Sequence, residues 1–384
     1  MMAENALVDR TLGCLLGAAV GDALGGPTEG WTPDQIRERW GGWVEGIVPP
    51  YFEDWRTARP IAPYHKGNGH VTDDTLMTRL LIDVYLDKRA HLDAYDIADR
   101  LVPRMIGDQT WIPELEAEAL PLQRVFLAEK YIALRLHWAH VDPREAGVGN
   151  AVNCGAAMYV APIGVVNAAD PDTAYAEAID VTSAHQSSYG REAAGVMAAA
   201  VAEAMTPGAT VDSVVDTALR LAKDGTRAAI EAVCEAADGV GHWSEAIEFG
   251  TLRDAVRPFD TVADTYRDQG LGARRPSRLH SIEELPLALG MLVVAKGDWE
   301  QTVFGGVNYG RDSDSIATMG GALAGALGGR DVVPAALVEA VSTASRMDLE
   351  QPARQLAEVV AEIRAADHVR NSRVHDAYRR LGEG

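Results

Sequence analysis

Apolar residues recur at helical spacing along nearly the whole chain, and this periodicity leaves little sequence from which a sheet could be built. Segments of period 3.6 lie near 9–24, 74–89, 93–107, 121–139, 171–184, 190–205, 211–223, 225–237, 282–296, 314–327, 334–347 and 350–366. Alanine dominates many of them, which favours helix and permits close approach between helices. β-Branched pairs such as Ile47-Val48 and Val165-Val166 are too short to make strands of a sheet. In the first segment Gly13, Gly17 and Gly21 recur every four residues. They form one ridge of a helix, where missing side chains let a neighbouring helix come close. The expectation is an all-α fold.

Three stretches interrupt the pattern. Residues 41–71 hold Gly41, Gly42, Pro49, Pro50, Pro60, Pro63, Gly67 and Gly69 beside Trp43, Tyr51, Phe52, Trp55 and Tyr64. Long aromatic loops of this kind carry function more often than ordinary connections do; this one is read either as covering a cleft or as packing on the domain surface. Residues 140–155 are Gly/Asn-rich, and 268–281 form a polar connector with Arg274, Arg275, Pro276 and Arg278. None resembles a flexible linker between domains. With 47% hydrophobic residues the chain has ample core material, and residues 1–384 are expected to form a single compact domain.

Charge excludes some partners. The net charge of −21 opposes sequence-independent binding to nucleic acid or to an anionic membrane, both of which require a basic face. The apolar stretch from Leu12 to Leu24 is broken by glycines and Asp22, too short and interrupted for a membrane span, and the start lacks a signal-peptide pattern. Cys14, Cys154 and Cys234 are odd in number and far apart. They suggest neither a disulfide framework nor a CxxC metal pair, and a reducing cytoplasm is the simplest setting.

The chemistry is concentrated in two short clusters, Thr72-Asp73-Asp74-Thr75 and Asp312-Ser313-Asp314-Ser315, each just before an apolar run at helical spacing. Taken singly, each is an ordinary helix N-cap. Each also puts two carboxylates and hydroxyls on a helix start, where free N–H groups and the positive dipole end are found. If the fold joins the two starts, four carboxylates share one site, which requires cations. Hard oxygen donors with no His or Cys inside either cluster suit Mg²⁺ or Mn²⁺ rather than zinc. Glu29, just past the first helix in a Gly/Pro turn, is free to point into a cleft.

Five ordered blocks resemble the ADP-ribosylglycohydrolase family: GDALGxPxE (Gly21 to Glu29), TDDT (Thr72 to Thr75), NxGAAM followed by PIG (Asn153 to Gly164), Ser-x-His (Ser183 to His185), and GxDSDSIA with its Gly/Ala helix (Gly310 to Gly329). The resemblance implies a single compact orthogonal helical bundle with a central dinuclear metal site holding two Mg²⁺ or Mn²⁺ ions. It implies Thr72, Asp73, Asp74, Asp312, Asp314 and Ser315 as metal ligands, and Glu29, Asp73 and Asp314 as catalytic carboxylates. It implies an ADP-ribose-containing or nucleotide-like substrate along Asn153, Gly155, Ala156 and Met158, with His185 and Gly310 near it. Backbone N–H groups at Asn153 to Ala156 are the usual means of holding phosphate without many Lys or Arg, which suits so acidic a chain.

The chain departs from the family pattern at Ser315, where Thr is usual, and at Tyr159, where many members have Arg. It is also longer, in the loop 41–71, in 109–148 with Trp111, His137, Trp138 and His140 expected to flank the site, and in extra C-terminal helices over 350–384. The leading reading is a metal-dependent hydrolase of a glycosidic bond to ribose in an ADP-ribosylated protein or small molecule. A nucleoside or nucleotide N-glycosidase and a catalytically silent ADP-ribose-binding protein are the alternatives.

Overall fold

A computed structural model describes residues 5–54, 66–112, 114–259 and 280–382. Numbering only the longer helices in chain order, these are α1 Ala6–Gly25, α2 Pro33–Trp40, α3 Asp73–Lys88, α4 Pro171–Val181, α5 Ser188–Ala204, α6 Val211–Leu221, α7 Asp224–Ala237, α8 His280–Val294, α9 Trp299–Tyr309, α10 Ser313–Gly328, α11 Ala335–Ser345 and α12 Glu350–Gly382. Shorter helical turns fill most of the remainder. Among the described residues the strands are β1 Thr110–Ile112 and β2 Ala117–Ala119, an antiparallel pair in which Trp111 faces Glu118. The fold is all-α, as the periodicity predicts.

The glycine ridge of α1 meets a matching ridge on α10. A Cβ on Gly13 would fall 2.2 Å from the Gly325 carbonyl oxygen, one on Gly17 2.3 Å from that of Gly321, and one on Gly21 2.2 Å from that of Ala317. The pairing runs antiparallel, backbone against backbone, and both helices are buried almost throughout. This contact fixes the end of α1 against the start of α10.

Two helices escape the periodicity. Helix α2 is short, with a Thr32/Gln35 capping box and Pro33 in its first turn; its signal is the cap rather than an apolar stripe. Helix α9 carries Gly305 and Gly306, which pack against Met291 and Ala317 and lower its helix propensity. The C-terminal extension is one helix, α12, rather than several. Its first half is anchored by Leu356, Val360 and Ile363, and residues 368–382 are exposed. Among the described residues no helix is long and apolar enough to cross a membrane. The connector arginines Arg274, Arg275 and Arg278, and Trp55 and Tyr64 of the aromatic loop, lie outside the described residues.

Candidate active site

The segment after α1 turns back onto the start of α10. The Thr28 hydroxyl donates to the Gly25 carbonyl and lies 2.8 Å from Ser313 Oγ, and the Gly30 amide donates to the Arg311 carbonyl at 2.6 Å. Gly310 has φ 72° and packs its Cα against the Trp31 carbonyl, where a Cβ would fall 2.0 Å away. These contacts hold buried Glu29 next to Asp312 and Asp314, and carboxylate oxygens of the three lie within 4.8 Å of one another.

The start of α3 is held by a residue the sequence did not single out. Asp22, fully buried on α1, accepts from the Thr72 amide at 3.0 Å, the Thr75 amide at 3.1 Å and the Thr75 hydroxyl. Thr72 caps α3 by accepting from the Asp74 amide at 3.3 Å. Burial pushes the Asp22 carboxyl up to about 6 against the lowering effect of these hydrogen bonds. Oxygens of Asp22, Asp74 and Asp314 also lie within 4.8 Å of one another, so the two acidic helix starts converge.

They converge on a cleft of roughly 430 Å³. Glu29, Asp73, Asp74, Asp312, Asp314 and Ser315 line it, with Asn153, Gly155 and Met158 on the opposing loop. Thr72, Ala156, His185 and Gly310 are buried and do not line it. Burial first, then the neighbouring carboxylates, raises Asp74 and Asp314 well above the ordinary aspartate range. Asp74 Oδ1 and Asp314 Oδ1 are buried without a hydrogen-bond partner. Behind Asp312 lie Cys154, whose thiol donates to Asp312 Oδ2 at 3.4 Å, and the buried Glu284. Burial and these acidic neighbours push the thiol up, so it stays protonated.

The segment 109–148 reaches the cleft through residues other than the expected ones. Trp111 stacks under Arg346 at 3.7 Å and Trp138 is exposed; neither they nor His137 and His140 line the cleft, which Arg124, Phe126 and Glu129 do. Buried Arg124 donates from Nη1 to Asp73 Oδ1 at 2.9 Å and pairs through Nε with Glu114 at 3.0 Å. The Phe126 amide donates to Asp73 Oδ2 at 2.9 Å, so both oxygens of Asp73 are oriented by this segment. Tyr51 of the aromatic loop stacks on Trp31, ring centroids 3.4 Å apart, with Phe52 edge-on to both. Those rings bind the loop to the turn that carries Glu29.

Comparison with known proteins agrees with this architecture. The ADP-ribosylglycohydrolase family profile matches residues 3–367. The chain is 26% identical over 353 residues to the uncharacterised protein YegU of Escherichia coli K12, covering 91% of this chain and 96% of that one. It is 24% identical over 341 residues to the ADP-ribosylhydrolase ARH3 of Gallus gallus, covering 85% and 87%. A solved structure described as an ADP-ribosylglycohydrolase-related protein complex shares the fold at a TM-score of 0.61 and 21% identity, covering 93% of this chain and 98% of its own. With a family match over nearly its full length and an all-α fold to go with it, the chain belongs to the ADP-ribosylglycohydrolase family and is a glycoside-cleaving hydrolase.

Proposed function

We propose that the protein is a divalent-metal-dependent hydrolase that cleaves the bond between ribose C1 and a nitrogen or oxygen leaving atom in an ADP-ribosylated substrate. The observation that carries this reading is the convergence of Glu29, Asp74, Asp312 and Asp314 from three separate elements on one buried cleft. So many carboxylates repel one another, and burial adds to the cost of their charge. Cations remove both penalties. The residues present fit such ions, because Asp74 and Asp314 each keep a buried oxygen with no protein donor and the set is dominated by hard oxygens. Among the described residues Cys154 is the one thiol beside this set, and it donates to Asp312 Oδ2.

Asp73, Asp74, Asp312, Asp314 and Ser315 would hold two Mg²⁺ or Mn²⁺ ions, with Glu29 beside them and Thr72, expected as a ligand, capping the helix that carries Asp73 and Asp74. Bound there, such ions supply a Lewis acid for ribose hydroxyls and lower the pKa of a nearby water. The chain's own residues do the rest. Arg124 and the Phe126 amide fix the orientation of Asp73. Glu29, on the turn after α1, is held beside Asp312 and Asp314. The carboxylates stabilise positive charge that develops on the ribosyl ring as the bond to C1 breaks. The loop at Asn153 to Gly155, where the Gly155 amide is held by Asn153 Oδ1 at 3.0 Å, borders the cleft and is the segment assigned to the diphosphate.

The substrate is tested by incubating the protein and Mg²⁺ separately with ADP-ribosyl-arginine, ADP-ribosyl-serine, NAD⁺ and common nucleosides. Release of ADP-ribose from an ADP-ribosylated amino acid is expected. Release of a free base from nucleosides alone would overturn the proposal in favour of a nucleosidase.

A further inference from the structure

We propose that Glu129 is a catalytic residue of this cleft, the proton donor to the atom that leaves ribose C1, positioned from behind by His185 and Tyr159. The inference rests on the ADP-ribosyl hydrolase reading and adds to it a residue outside the acidic helix starts. Glu129 lines the cleft on the short helix Leu127–Ala133 and is 1% exposed. Oε1 has His185 Nε2 at 3.3 Å, whereas Oε2 is buried with no hydrogen-bond partner. Such a group inside a structured wall is costly unless a ligand or a proton completes it.

What stands behind it is built rather than incidental. His185 Nε2 lies 3.3 Å from Glu129 Oε1, and His185 Nδ1 lies 3.2 Å from the Tyr159 hydroxyl. Both His185 and Tyr159 are fully buried, with rings stacked 5.7 Å apart. A Tyr159 hydroxyl donating to Nδ1 leaves the hydrogen on Nε2, facing the carboxyl. On the cleft side, a Cβ on Gly155 would fall 2.3 Å from Glu129 Oε1, so glycine there is what lets the carboxyl reach the substrate loop.

Glu129 is absent from every group of acidic and thiol side chains, among the described residues, close enough to share an ion. It can therefore keep a proton when cations neutralise the others. Burial raises its pKa against the lowering effect of His185; Asp73 across the cleft raises it further, and Lys130 on the same helix is the nearby cation. In the step assigned to it, the Glu129 proton passes to the leaving nitrogen or oxygen, which keeps the electron pair of its bond to C1. Water oxygen forms the new bond to C1, and the proton that water releases restores Glu129, so the net change is addition of one water.

The test compares Glu129→Gln with wild type on ADP-ribosyl-serine, whose alkoxide needs a proton to leave, and on 4-nitrophenyl ADP-ribose, whose phenolate does not. We expect kcat on the serine substrate to fall by about 10²-fold or more, the usual worth of general acid catalysis. The nitrophenyl substrate should change by only a few-fold, and the alkaline limb of the pH–rate profile should disappear. Equal loss on both substrates, or loss on neither, would overturn the assignment while leaving the hydrolase reading intact. If ADP-ribosyl-arginine alone is cleaved, the same loss is read on it; wild type that cleaves none of the three would overturn both. Tyr159→Phe carries the test if the Gln variant does not fold: it should displace the alkaline limb, and an unmoved limb would contradict a chain of positioning through His185.

Discussion

Glu29 sets the sharpest expectation at the scale of single residues. It sits beyond the end of α1, within reach of Asp312 and Asp314 yet not on the helix whose start carries them. A residue so placed assists the reaction more than it anchors ions. Glu29→Gln should lower kcat by about 10²-fold or more while divalent-ion affinity, read by calorimetry, changes little. Wild-type turnover in the variant would reduce Glu29 to a turn residue. The residues of the two acidic clusters and Glu29 were legible in the sequence because carboxylates and hydroxyls crowd a helix start, and that is a local pattern. Asp22, Arg124, Glu129 and Glu284 were not. None of them belongs to either cluster, and each meets a partner far away in the chain: Asp22 on α3, Arg124 at Asp73, Glu129 at His185, Glu284 at Asp312. The one available signal was Asp22 itself, a carboxylate that interrupts the apolar stretch from Leu12 to Leu24. His185, expected near the ligand, lies behind the wall of the cleft beside Glu129.

At the scale of elements, the contact between α1 and α10 decides where the site forms. Its glycines were legible as a ridge, but the partner was not, because ridge spacing says that some helix comes close and not which one. Gly17→Ala places a Cβ 2.3 Å from the backbone oxygen of Gly321. The helices must separate, and we expect a loss of about 2 kcal/mol or more in chemical denaturation. An unchanged midpoint would show that the pair tolerates the separation. A second expectation concerns α12, which docks through Asp367. His91 bridges Glu177 at 2.6 Å and Asp367 at 3.1 Å, and the hydrogen bond to Glu177, followed by the charges of both carboxylates, raises its pKa despite burial. A raised folded pKa means the bridge contributes fully below the unfolded histidine value of about 6.5. That contribution fades as pH rises through the folded value. The melting temperature should therefore drop as pH rises above about 6.5, and His91→Gln should flatten this part of the profile. A profile unaltered by the substitution would place the pH dependence elsewhere.

Over the whole molecule, a chain of net charge −21 gathers its most buried carboxylates at one point rather than spreading them across its surface. The all-α class followed from periodicity, whereas the route by which α1, α3, α10 and the segment 109–148 meet did not, since it depends on backbone and side-chain contacts between residues far apart in the sequence. The central claim is that cations make this convergence both stable and reactive. It is tested most directly by stripping the protein of divalent ions and measuring ADP-ribose release from an ADP-ribosylated amino acid as Mg²⁺ or Mn²⁺ is restored. The account predicts no turnover in the stripped protein, recovery that saturates with either ion, and no recovery in Asp312→Asn despite unchanged helical content. Full turnover by the stripped protein would contradict it.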